Sequence, residues 1–310
     1  MRRVLGLAGA VVGVASLAAV PAHAEKIDAE ELFGADFYSE SFNLDPDPEP
    51  VGGFVRCING TKLFTGGAYM DEEGPPVEPG PAETTFVASS GPTKNGDAWF
   101  ISGLESAGGE FLLQGMVRCL PKARLADAKT ISKSEVMKSN DATAGLKVRC
   151  PQGYRLISGG GYISRPGKPP RAEDSARGII NSSAPLSERA WFVAASDDIL
   201  APGVPGRSEV TALARCLPSN QLSDYELVES TMAVNEDDSG ILFSGCPSPD
   251  ALGPVGAFWH DGDGKLNADL AGSSSLFAVG ALSNLTEFPA GGGNFSFVDL
   301  ELTGRAYCLE

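Results

Sequence analysis

The chain has 310 residues, with 40 acidic side chains against 24 basic ones and a formal net charge of −16 at pH 7. Such a surplus of negative charge repels phosphate backbones and anionic lipid surfaces, which argues against nucleic acid as a partner. With 38 glycines and 22 prolines spread along its length, the chain is a poor source of long helices.

Residues 1–24, MRRVLGLAGAVVGVASLAAVPAHA, combine a basic start at Arg2 and Arg3, an apolar run from Val4 and a small-x-small site at Ala22-His23-Ala24. They read as a secretory signal peptide cut near Ala24. No later apolar run approaches the roughly 20 residues that cross a bilayer as a helix. The mature chain is therefore expected outside the cytoplasm, with no transmembrane segment. Cleavage removes two arginines and no acid, leaving 22 basic and 40 acidic residues, a net charge of −18. It also removes His23, so His260 is the single remaining histidine. A multi-histidine metal site cannot be built, and a Ser-His-Asp triad would have to use His260.

Residues 25–50 form an acidic, proline-rich lead-in. It has room for one short helix at Ala29–Phe33 before the spacer Asp45-Pro46-Asp47-Pro48-Glu49-Pro50. From residue 51 a repeat takes over. RCINGTKLFTGGAY (56–69) and RCPQGYRLISGGGY (149–162) share seven of 14 positions without a gap. A third copy, CPSPDALGPVGAFW from Cys246, puts Leu252, Gly256 and Phe258 at the places of Leu156, Gly160 and Tyr162. Tryptophan strands begin at Trp99 and Trp191, and LFAVG from Leu276 is expected to stand for them in the third copy. Each unit closes on a cysteine strand: MVRCL, LARCL and RAYCL. The first cysteine advances by 93 and then 96 residues. The units are read as 51–120, with 36–44 as a candidate first strand, then 121–217 and 218–310.

Six cysteines in an exported chain predict disulfides, and like folding of each unit selects Cys57–Cys119, Cys150–Cys216 and Cys246–Cys308. Alternation at Leu146, Val148 and Cys150, and at Val210, Ala212, Ala214 and Cys216, marks half-buried strands. Turns fall at Gly74-Pro75-Pro76, Pro166–Pro170 and Pro202–Gly206. The fold class is all-β: three tandem antiparallel sandwich or Greek-key repeats, each with one internal disulfide. A single pseudo-threefold, β-prism-like assembly is the alternative. The glycine triplet Gly159-Gly160-Gly161 precedes no helix start and no Lys-Ser/Thr, so it predicts a bulge or close strand crossing rather than a phosphate loop. The modules resemble tandem Cys-Pro-x-Gly, Gly-Gly, Trp, Cys repeats of secreted bacterial proteins that carry no known activity. That resemblance implies export and a β-fold and brings no catalytic residues.

Candidate sites concentrate in the third unit. Trp259 and His260 are the candidate ligand-binding pair, with Trp259 expected to be exposed. Asp261, Asp263, Asn267 and Asp269 offer oxygens for a calcium loop, against the simpler reading of an Asp-Gly turn. No other cofactor is expected. Trp99 and Trp191 are expected in the core. Arg56, Arg118, Arg149 and Arg215, next to the cysteines, are expected on solvent-facing strand positions. Asn59, Asn181, Asn284 and Asn294 match the glycosylation pattern by chance. The function expected is non-catalytic: an extracellular binding or structural role toward a polysaccharide or envelope component. The rivals are an exported hydrolase built on His260, Asp261 and Asp263, and a protease inhibitor or effector acting through Pro166–Pro170.

Overall fold

A computed structural model describes residues 26–44, 50–72, 85–105, 111–137, 143–197, 207–262, 274–279 and 286–310. The leader expected at 1–24, most of the expected spacer at 45–50 and the turns expected at 74–76 and 202–206 lie outside them. After a five-residue helix α1 (Ala29–Phe33) the described chain is almost entirely strand. The first six strands are β1 (Asp36–Leu44), β2 (Val51–Arg56), β3 (Thr61–Glu72), β4 (Thr85–Pro92), β5 (Ala98–Glu105) and β6 (Phe111–Pro121). The next six are β7 (Lys129–Val136), β8 (Thr143–Arg149), β9 (Tyr154–Ser164), β10 (Ile179–Ser187), β11 (Ala190–Ser196) and β12 (Glu209–Pro218), with a 3-10 turn at Ala172–Arg177. The last six are β13 (Tyr225–Val234), β14 (Asp238–Gly245), β15 (Ala251–His260), β16 (Ser274–Val279), β17 (Glu287–Asn294) and β18 (Leu300–Leu309).

These strands form three open, antiparallel, six-stranded sheets. Sheet I runs β1-β6-β3-β16-β17-β14, sheet II runs β7-β12-β9-β4-β5-β2, and sheet III runs β13-β18-β15-β10-β11-β8. Each sheet thus takes three strands from one unit and three from another. Within a unit the two half-sheets face each other as a sandwich. Val55, Trp99, Leu63 and Val117 meet in the first core, Leu146, Trp191, Leu156 and Ala214 in the second, and Leu242, Phe288, Leu252 and Leu302 in the third. Each core holds one disulfide, Cys57–Cys119, Cys150–Cys216 or Cys246–Cys308. The seams pair β4 with β9, β10 with β15 and β16 with β3, so the chain of pairings returns to the first unit.

The glycines make the seams possible. A Cβ on Gly160 would lie 2.3 Å from the Ser90 carbonyl oxygen of the neighbouring unit, and one on Gly256 would lie 2.1 Å from that of Ser183. Side-chain hydroxyls stitch the same seams: Ile163 N–H donates to Ser89 Oγ at 3.1 Å, and Trp259 N–H to Ser182 Oγ at 3.2 Å. The other glycine of each pair serves its own core. A Cβ on Gly66 would lie 2.7 Å from the Trp99 ring, and one on Gly159 would lie 2.2 Å from that of Trp191.

The third unit departs from the expected alignment. Trp99 pairs with Val55, Trp191 with Val148, and Phe288 with Ser244, two residues before each first cysteine. Phe288 on β17 is therefore the counterpart of the tryptophans, and Leu276 belongs to β16. The substitution is coupled to others. Val255 stands at the place of Gly159, where the smaller ring leaves room. Val279 takes the register of Ser90 and Ser183, whose hydroxyls accept from Trp99 Nε1 at 2.9 Å and Trp191 Nε1 at 3.1 Å. A phenylalanine has no N–H to satisfy. Ser183→Ala should therefore cost about 1–2 kcal/mol by orphaning the buried indole N–H, whereas a Val279→Ser change should gain nothing comparable; urea titration measures both.

Residues Ile27, Ala29 and Leu32 close one end of the ring. They pack with Phe64 and Leu120 of the first unit, Ile157 and Leu217 of the second, and Leu309 of the third. Asp28 caps α1 by accepting from Glu31 N–H at 2.9 Å, and Glu31 pairs with Arg124.

Candidate functional site

The third-unit residues singled out in the sequence do not converge on an exposed site. Trp259 alternates inward with Val255 and Ala257 on β15 and is 0% exposed in the third core, so the exposed recognition expected of it is corrected. His260 is also buried, at 4%. It ends β15 rather than lying in a turn, with Nδ1 3.2 Å from Glu301 Oε2 and Nε2 2.9 Å from Thr303 Oγ1. The Thr303 hydroxyl in turn lies 2.7 Å from that of Thr231.

The other units explain this row. Tyr69 Oη donates to Gln114 Oε1 at 2.7 Å in the first unit, and the Tyr162 hydroxyl bonds Thr211 in the second. Thr303 occupies the Gln114 and Thr211 register, while Phe258 takes the tyrosine place and lacks the hydroxyl. His260, two residues on, supplies the missing polar partner. A Thr-His-Glu row of this kind has the connectivity of a catalytic triad, but Thr303 is only 4% exposed and leaves no approach for a carbonyl group.

Asp261 is exposed, while Asp263, Asn267 and Asp269 lie outside the described residues. Among the described residues no group of three His, Cys, Asp or Glu side chains is placed to hold a metal ion. Of the glycosylation-like asparagines, Asn181 and Asn294 are buried, and Asn294 Nδ2 donates to the carbonyls of Val234, Asn235 and Val298. Asn284 lies outside the described residues.

Arg215 corrects another expectation. It is 1% exposed, because the β12 face opposite the second core is covered by the first unit. Its Nε donates to Leu63 O at 2.7 Å, and burial lowers its pKa to about 10. Gly96, at φ 66°, leaves the space for its guanidinium. Arg56 and Arg149 are exposed and Arg118 is half-buried, its guanidinium 4.6 Å from the Phe37 ring centre.

The concave surface that does emerge lies on the outer face of sheet II, across the seam of the first two units. Val55, Trp99 and Ile101 turn into the first core, so Phe54 and Phe100 turn outward; Ile163 turns inward, so Tyr162 joins them. Phe54 and Phe100 have ring centres 5.1 Å apart, and Phe100 meets Tyr162 edge-on at 6.4 Å. They meet because the half-sheets close on each other at the seam, where a Cβ on Gly91 would lie 2.8 Å from Gly161 N.

The β9–β10 loop forms one lip of this groove, and its 3-10 turn packs on β2, β5 and β9. Asp174, 1% exposed, is its hub, with Arg165 Nε at 3.3 Å and Arg177 Nε at 3.5 Å; burial pushes its carboxyl up against the pull of these arginines. Gly167 N–H donates to Glu209 Oε2 at 2.6 Å. The β4–β5 turn forms the other lip. The groove holds about 430 Å³ and is lined by the three rings, Pro169, Pro170, Thr93, Thr211 and Glu209, with Lys94 and Lys168 on opposite lips. Both lysines are exposed and have no carboxylate at ion-pair distance among the described residues. Burial raises the pKa of the Tyr162 hydroxyl, so it stays protonated at neutral pH.

The corresponding places on the other sheets differ. On sheet III, Arg305 stands where Leu213 does, 4.9 Å over the Phe258 ring, and donates to Pro185 O at 3.1 Å, filling the seam. On sheet I, Pro289 takes the place of Phe100 and Phe243 that of Phe54. No sequence signal marked this groove, because its rings come from two units and only the seam brings them together. Among the described residues, no helix is long and apolar enough to cross a membrane. Three disulfides and no free cysteine fit an oxidising compartment. No protein-family model matches the chain, and no curated protein matches it.

Proposed function

We propose that this is an exported, non-catalytic binding protein that holds a polysaccharide or related envelope component in the sheet II groove. The observation that carries the reading is the ring floor of Phe54, Phe100 and Tyr162 between polar lips. Ligand sites are commonly apolar concavities with a few placed polar groups. Sugar rings present C–H faces that stack on aromatic rings and hydroxyls that need partners such as Thr93 and Thr211. Two exposed lysines on the lips, in a chain of such negative charge, favour a polymer that carries carboxylates. The disulfides and the leader-like first 24 residues support an extracellular setting. The buried Thr303 hydroxyl counts against the hydrolase reading, and the hub at Asp174 makes the Pro166–Pro170 loop a groove wall rather than a projecting inhibitory loop.

The test is titration calorimetry and array binding with neutral and uronate-containing glycans. Phe54→Ala should lower affinity about tenfold or more, as loss of an aromatic anchor does. Lys94→Ala with Lys168→Ala should remove the preference for acidic chains and the salt dependence. Silence across the array, or binding indifferent to Phe54, would overturn the proposal.

A further inference from the structure

Among the described residues six strands lie at sheet edges, two per sheet: β1 and β14, β7 and β2, β13 and β8. Exposed edges invite pairing with another chain, and proteins blunt them with charge or cover. Five of the six are blunted. Asp36 and Glu40 stand on β1, Glu226 and Glu229 on β13, Lys129 and Lys133 on β7, and Lys147 and Arg149 on β8. The fifth, β2, has no charge before Arg56 but lies under the 3-10 turn of the second unit.

The sixth, β14, has no such cover among the described residues and no charge beyond Asp238 at its first residue. From Ser239 to Gly245 β14 reads SGILFSG, with no charged residue, and it turns Ile241 and Phe243 outward at 48% and 65% exposure. The repeat sharpens the contrast. The position of Phe243 is held by Phe54 on covered β2 and by Lys147 on β8.

We propose that β14 is a homodimer contact, pairing antiparallel with β14 of a second copy about a twofold axis at Leu242. A twofold contact must be self-complementary. In this register Ile241 lies beside the partner's Phe243 and Phe243 beside the partner's Ile241, apolar cross-strand pairs of the stabilising kind. No charge meets a like charge. The same operation on β1 or β13 sets carboxylate near carboxylate, and on β8 cation near cation. Two copies of a chain this acidic repel each other over most of their surface, so they meet most readily along the strip that carries no charge. The second copy is thus the occupant that the charge pattern selects. It leaves the sheet II groove free.

Sedimentation velocity on the mature chain tests this, from about 1 µM to about 500 µM, the range where contacts of this modest size associate. Concentration-dependent dimerisation that strengthens as salt screens the like charges is expected. Phe243→Lys, which installs the charge that β8 already carries there, should abolish it with the thermal midpoint unchanged; Ile241→Lys is the second variant should the first fold poorly. A wild-type chain that stays monomeric throughout, or a dimer unaffected by both lysines, would overturn the proposal.

Discussion

Gly160→Ala should destabilise the protein by about 3 kcal/mol or more, at the upper end of what overpacking costs. The added methyl would sit 2.3 Å from the Ser90 carbonyl oxygen and 2.5 Å from the Gly91 Cα, both backbone atoms of β4 in the adjoining unit. No rotamer change relieves a clash with backbone. The seam must widen, which loosens the Ser90–Gly161 pairing and the bond from Ile163 N–H to Ser89. Gly153→Ala is the control. Gly153 has φ 79°, and a Cβ there would meet nothing within 4 Å, so its loss should cost only about 1 kcal/mol through the left-handed backbone. Thermal unfolding of the two variants side by side separates crowding from backbone strain. Equal, small losses would show that the seam is soft and that the glycines are not what joins the units.

Removing the second-unit disulfide, with Cys150→Ala and Cys216→Ala together, should cost about 4 kcal/mol, the loop-closure figure for a long crosslinked segment. The bridge spans 66 residues and lies in the core with Trp191 and Leu156. The loss should not stay local. The bridge ties the end of β8 in sheet III to β12 in sheet II, so losing it loosens the sandwich and frays β12 with its partner β9, which carry Thr211 and Tyr162 of the groove. Glycan affinity and the second unit's amide protection should therefore fall together, while reduction of the whole protein should abolish cooperative unfolding. A double variant with unchanged stability would mean that the sandwich core alone holds the unit.

What the sequence made legible is what each unit does for itself. The cysteine spacing repeats because every bridge closes one sandwich, and Gly66 and Gly159 accompany tryptophans of their own units. What it hid is what one unit does for another. Gly160 and Gly161 read as a backbone device, but nothing in the repeat names β4 of the first unit as the strand they admit. Period-2 alternation put Arg215 opposite its cysteine correctly and could not show that a neighbouring unit covers that side. The groove is hidden for the same reason, since Phe54, Phe100 and Tyr162 are ordinary outward strand residues until the seam folds them together. The third unit misled in a different way: exchange of Trp for Phe at 288, with Val255 and Val279 following, erased the signature, so LFAVG from Leu276 gave the better local match although Phe288 keeps the spacing from the first cysteine. Trp259 then stands as a surplus ring with no counterpart in the repeat, although it fills the core.

The cap over the ring has a consequence for how the molecule is made. Ile27 N–H donates to Gln221 O, just before β13, and Ala29 N–H to Glu310 O, just after β18, so this early segment completes its bonding only once β18 has been made. The β3–β16 seam imposes the same wait on the first sheet. Contacts of such long sequence separation slow folding. Vectorial synthesis can therefore finish individual sandwiches in part, but the closed assembly must wait for β18, in one late step that joins the α1 segment to all three units at once.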